Sequence, residues 1–133
     1  MNIRKVTELT GMTADTIRYY EKIGMIPPIK RVSGISGIRQ FDEDDVKWID
    51  FVKHMREAGL SVDALVAYVH LFQEGQGMAA ERKEILKGQA TILKDKMAKM
   101  SQTLEMLEYK IDNYESLVFP AEDALESFDR NKK

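Results

Sequence analysis

Arg18, Tyr19 and Tyr20 stand side by side in this 133-residue chain, with Lys30, Arg31, Arg39 and Gln40 a short way downstream. A cation beside two phenols supplies donors suited to phosphate oxygens at a groove edge, and the later bases could straddle the same backbone. Thr13 and Thr16 add hydroxyls just ahead of that string. Core packing is the alternative for one of the adjacent tyrosines, Tyr20 in particular. The chemistry expected is electrostatic contact with nucleic acid. Bond-making chemistry finds no comparable set: there is no phosphate-binding loop, nucleophile elbow or HExxH pattern, and the two histidines, His54 and His70, fall on separate expected helices. The many carboxylates sit mostly on solvated faces, so no acid–base pair can be singled out. No enzyme, catalytic residue or cofactor is expected.

Charge is unevenly distributed. The first 41 residues hold seven bases and three acids, a local balance of +4, whereas the whole chain carries −2; the other 92 residues therefore carry −6. A short module touching nucleic acid, joined to a solvated acidic body, has this profile. Cysteine is absent, which excludes disulfides, thiolate metal ligands and thiol nucleophiles, and no metal site is expected. Charges in the first eight residues and the lack of a long apolar window lead to the expectation of a cytoplasmic protein without a membrane partner.

The elements that must position these residues are mainly helical. Ile3, Val6 and Leu9 form a short stripe ended by Gly11, and Thr13 caps a second helix with Asp15 in its first turn and Gly24 past its end. Two short helices meeting across Gly11-Met12-Thr13 have the form of a helix-turn-helix. Short apolar-basic runs around Ser33-Gly34-Ile35-Ser36-Gly37 predict a small hairpin over about 27–41. Asp42-Glu43-Asp44-Asp45 opens a third helix carrying Val46, Trp48, Ile49, Val52 and Met55. Ser61 caps a fourth, with Val62, Leu65, Val66, Val69 and Phe72 on one face.

The last long segment is a coiled-coil seam. Leu86, Ala90, Leu93, Met97, Met100, Leu104, Leu107, Ile111, Tyr114 and Val118 alternate steps of four and three. At 1.5 Å per residue such a helix is roughly 48 Å long, and no second helix of that length exists in the chain to cover it. A homodimer is expected, paired through Leu86, Leu93, Met97, Met100, Leu104, Leu107 and Ile111. The organisation expected is 1–74 as a DNA-binding domain, 78–118 as a dimerisation helix and 119–133 as a short tail, with one docking turn around Leu125 and Phe128.

Ile3-Arg4-Lys5-Val6 to Gly11-Met12-Thr13, Thr16-Ile17-Arg18-Tyr19-Tyr20-Glu21, Gly24-Met25-Ile26-Pro27-Pro28, Gly37-Ile38-Arg39-Gln40-Phe41 and Ala58-Gly59-Leu60-Ser61 closely resemble the framework of the MerR family of transcriptional regulators. Several co-linear motifs at matching spacing are far more specific than any one of them. The resemblance implies a winged helix-turn-helix whose dimer pairs through antiparallel long helices, binds a pseudo-palindromic promoter site in double-stranded DNA, and distorts that DNA so that RNA polymerase can use it. By position, Thr13, Thr16, Arg18, Tyr19 and Tyr20 would be helix contacts, mostly to backbone, and Lys30, Arg31, Arg39 and Gln40 wing contacts.

The stretch Asp45 to Arg56 is most similar to the branch of that family linked to aldehyde and thiol stress, whose members often carry a cysteine where this chain has His54. His54 is thus either a structural helix residue or a titrating or ligand-contacting group at a domain junction. With few residues after the seam, an effector pocket would have to lie between the long helix, its partner and the DNA-binding body. A coiled-coil adaptor whose helix-turn-helix binds protein is the competing class. It explains the seam and the acidic body but leaves the basic hairpin without a reason.

Overall fold

Asn2 and Thr13 start the first two helices in the same way. Each side-chain oxygen accepts from a backbone N–H three residues on, Lys5 at 3.0 Å and Thr16 at 3.2 Å, satisfying a donor that the helix leaves open. The resulting elements are α1 (Ile3–Thr10) and α2 (Ala14–Ile23). Both end on a glycine in the left-handed region, Gly11 at φ 72° and Gly24 at φ 84°, a conformation that side chains with a Cβ disfavour. This computed structural model describes residues 1–32 and 37–131, apart from the side chains of Val118 and residues 127–131. The expected hairpin tip, Ser33 to Ser36, lies outside the described residues.

Beyond Gly24 the chain packs Met25, Ile26 and Ile29 into the core and then forms a two-stranded antiparallel ribbon. Its strands are β1 (Lys30–Arg31) and β2 (Arg39–Gln40), with Lys30 opposite Gln40 and Arg31 opposite Arg39. Asp42 then caps α3 (Glu43–Glu57) in a reciprocal box: Asp42 Oδ1 accepts from Asp45 N and Asp45 Oδ2 accepts from Asp42 N, both at 2.9 Å. The acidic run is therefore a helix start. Ser61 caps α4 (Val62–Gln73), and a 3₁₀ turn at Gln76–Met78 leads into α5 (Ala79–Asp112).

Val6, Ile17, Phe41, Ile49, Val52 and Leu65 join Met25, Ile26 and Ile29 in one buried cluster. Ile3, Met12, Tyr20, Trp48 and Phe51 pack around it. One expected member is missing: Leu9 is 54% exposed, and Thr10 is buried instead, its hydroxyl donating to Val6 O at 2.8 Å. Steps of three fall about 60° short of a full turn each, so by Leu9 the stripe has rotated off the packed face onto which Thr10 turns.

The chain divides into two compact units, Met1–Leu93 and Lys94–Lys133. In the first unit Ile85, Leu86 and Gln89 border Phe51, Leu65 and Tyr68, so the first turns of α5 belong to the body. In the second, α5 stops at Asp112 and a π-helical turn (Tyr114–Val118) leads into α6 (Phe119–Asn131). The regular helix thus ends before Val118, where the sequence pattern carried it, and Phe119–Asn131, expected as tail, is helical. Asn113, at φ −110°, stands between α5 and the π-helical turn, its backbone N–H and its side-chain amide both donating to Tyr109 O, at 3.0 and 2.9 Å. Pro120 sits in the first turn of α6, where no N–H is required. Leu125 is exposed on α6, while the side chains of Phe128 and Val118 lie outside the described ones.

Candidate nucleic-acid interface

The wall of the candidate site is α2. With Ile17 fully buried, the next residues turn outward: Arg18 and Tyr19 are exposed, Tyr19 at 55%, while Tyr20 packs on the core as the alternative had it. Arg18 pairs with the exposed Asp15, at 3.1 Å on the helix surface, a contact of little net worth that a phosphate can displace. Lys22, one turn beyond Arg18 and also exposed, was not singled out in the sequence.

The ribbon supplies the facing wall. Successive strand residues point to opposite faces, which puts Arg31 and Arg39 together on the side toward α2 and Lys30 with Gln40 on the other. The outcome is a basin lined by Arg18, Tyr19, Lys22, Pro28, Arg31 and Arg39, with Glu21 among them. Four cations thus converge from two elements. Lys30 and Gln40 do not line it; Lys30 lies close enough to Asp42 to help hold that carboxyl in its charged form.

Glu21, like Lys22, was not singled out from the sequence. Its side chain is only 10% exposed, and one oxygen accepts from Arg39 Nε at 2.7 Å and from Arg31 Nη2 at 3.1 Å. The other oxygen accepts from Ile29 N at 2.6 Å. Burial works to raise the Glu21 pKa, but the Ile29 amide and the two guanidiniums outweigh it and hold the carboxyl below its ordinary value. In the sequence Glu21 is one acid on a helix, and nothing there announces that two arginines ten and eighteen residues later fold onto it.

Thr13 and Thr16 line a second hollow, at the helix-turn-helix, together with Gly11, Met12, Tyr20, Lys53, Arg56 and Glu57. Their hydroxyls lie 2.7 Å apart and bond to each other. Lys53 Nζ donates to Thr10 O at 2.7 Å, tying α3 to the end of α1, and Arg56 donates to Leu60 O. The sequence reading passed over both bases because which polar face of α3 meets the turn depends on packing.

His54 is exposed on α3, its Nδ1 2.8 Å from Asp50 O, and it lines none of the hollows described here. His70 pairs separately with Glu74 on α4 at 3.0 Å. Between α3 and α4 lies an aromatic basin of Trp48, Phe51, Tyr68 and Phe72, with Asp44 and Lys47 beside them. Among the described residues no cluster of three or more histidine, aspartate or glutamate side chains could hold a metal ion, and no helix is long and apolar enough to cross a membrane.

Along α5, Met97, Met100, Leu104, Leu107 and Ile111 are all exposed, Met100 at 71%; Leu93 is half-buried. Ile92, Met106 and Tyr109 are exposed as well but stand off the expected seam, Met106 and Tyr109 on the opposite side of the helix. Leu86 of the expected seam borders α3 and α4 of its own chain.

Residues 1–71 match the family model described as MerR HTH family regulatory protein. The HTH-type transcriptional regulator AdhR of Bacillus subtilis is 55% identical over 86 residues, which cover 65% of this chain and 60% of that protein's length. A chain described as a MerR family transcriptional regulator from Listeria monocytogenes superposes with a TM-score of 0.83 at 44% identity, covering 100% of this chain and 99% of its own. HiNmlR, described as a MerR family regulator lacking the sensor domain, bound to promoter DNA, superposes at 0.75 with 26% identity over 86% of this chain and 89% of its own. These relatives are named as regulators and not as enzymes. On the match over more than half of its length, the chain belongs to the MerR HTH family of regulatory proteins.

Proposed function

We propose that this protein is a sequence-specific, DNA-binding transcriptional regulator that acts as a homodimer on a pseudo-palindromic promoter site. The observation that carries the proposal is the convergence of Arg18 and Lys22 from α2 with Arg31 and Arg39 from the ribbon around one open basin. Four cations from two elements match two stretches of phosphate backbone, and the promoter-bound relative HiNmlR supports DNA as the ligand. Arg18, Tyr19, Arg31 and Arg39 are the proposed backbone contacts of this basin. Thr13, Thr16 and Tyr20 flank it at the turn, and Lys30 with Gln40 serves the outer face of the wing.

The dimer is proposed to form through half-buried Leu93 and exposed Met97, Met100, Leu104, Leu107 and Ile111 of α5. Two chains would then set two basins on one duplex, and any bend imposed on the promoter is a deformation energy offset by these contacts. RNA polymerase at the promoter and a cytoplasmic setting follow from that role. The test is Arg18→Ala. Removing one phosphate contact is expected to lower the steepness of the log affinity against log salt plot by about one and to leave the dimer intact. Unchanged affinity and slope would remove Arg18 and the α2 wall from the interface.

A further inference from the structure

Arg31 and Arg39 sit directly opposite each other on one face of the ribbon, a placement that like charges oppose. A single buried oxygen of Glu21 receives a donor from each, and its other oxygen receives the Ile29 amide just ahead of β1. One carboxylate on α2 thus ties together the helix, the approach to the ribbon and both of its strands. It also cancels one of the positive charges that line the basin.

We propose that Glu21 is a specificity-determining positioning residue, which fixes Arg31 and Arg39 relative to α2 and restrains the site from binding arbitrary duplexes through charge alone. This rests on the interface proposed above. An arginine held by Glu21 has little rotamer freedom left to lose when it meets DNA, so its contact favours a duplex whose backbone path suits that geometry. Without the carboxylate, two mobile guanidiniums and one more net positive charge would follow any phosphate path. Affinity for unrelated DNA rises while discrimination falls. A residue that served only to hold the fold would lower binding to every duplex alike.

The experiment uses the full chain, a duplex enriched from a random library by the wild-type protein, and a scrambled duplex of the same composition. Affinities are measured by fluorescence anisotropy over a salt series for wild type, Glu21→Gln, Glu21→Asp and Arg39→Ala. Glu21→Gln is expected to tighten binding to the scrambled duplex, to cut the enriched-over-scrambled ratio about tenfold and to steepen the salt slope by about 0.9. Glu21→Asp keeps the charge but shortens the reach by one methylene, so it retains the wild-type slope and recovers only part of the ratio. Equal weakening on both duplexes with an unchanged slope, or an unchanged ratio, would overturn the proposal. If Glu21→Gln melts too early to measure, a wild-type ratio in Glu21→Asp would overturn it as well. Arg39→Ala separates the two levels. If it leaves both affinities unchanged, the interface itself fails and takes this proposal with it; if it weakens binding while Glu21→Gln keeps the wild-type ratio, only the role of Glu21 fails.

Discussion

Glu21 gives up protons more readily in the folded chain than in the unfolded one, because the Ile29 amide, Arg39 and Arg31 outweigh the cost of its burial. A carboxylate whose folded pKa is depressed contributes stability that is fully present above its unfolded value and is lost as pH falls through the folded value. Asp42 shifts the same way through the Asp45 amide, while burial raises Asp45. The contribution of Glu21 is therefore isolated by comparison with Glu21→Gln. In urea titrations from about pH 6 down to about pH 3, wild type is expected to lose more stability than Glu21→Gln, and parallel curves would show that the bridge is energetically silent. Neither this bridge nor the split of seven of the nine candidate contacts between two hollows, with Lys30 and Gln40 in neither, could be read from the chain. Both depend on which side chains the ribbon turns toward α2. By contrast, the outward turn of Arg18 and Tyr19 beside a buried Ile17 follows from helical spacing alone.

Among the elements, those with local end signals were legible. Thr13 with Gly24, Asp42 with Asp45, and Ser61 each place a cap oxygen or a left-handed glycine where the structure starts or stops a helix. Long-range packing was less so. The four-three alternation continues through Tyr114 and Val118, yet the regular α-helix ends at Asp112 and a π-helical turn follows, a change of winding that a hydrophobic pattern does not register. Leu86 keeps the seam's spacing but borders the body of its own chain, since pattern cannot say which helix meets a given apolar residue. The rest of the α5 face makes a direct prediction. Leu104→Asp sets an unpaired charge in the proposed dimer core and is expected to weaken association roughly a hundredfold or more, given the several kcal/mol such a buried charge costs. Light scattering should then report monomers that retain the wild-type helix signal; a persistent dimer would place the pairing surface elsewhere.

At the scale of the whole molecule, a chain with net charge −2 can still offer DNA a basic face, because the first 41 residues hold seven bases against three acids. Acids fill the first turn of α3, and Glu21, inside the basin, organises the bases around it. The most direct test of the central claim is selection from a random duplex library by the full-length protein, followed by anisotropy on the enriched duplex and its scramble between about 50 and 200 mM salt. Recovery of a two-fold-related sequence, bound by two chains with an affinity that falls by about a thousandfold or more across that range, is the expected result. Enrichment of nothing, with equal and weak binding to both duplexes, would contradict it and favour a coiled-coil adaptor whose helix-turn-helix meets protein.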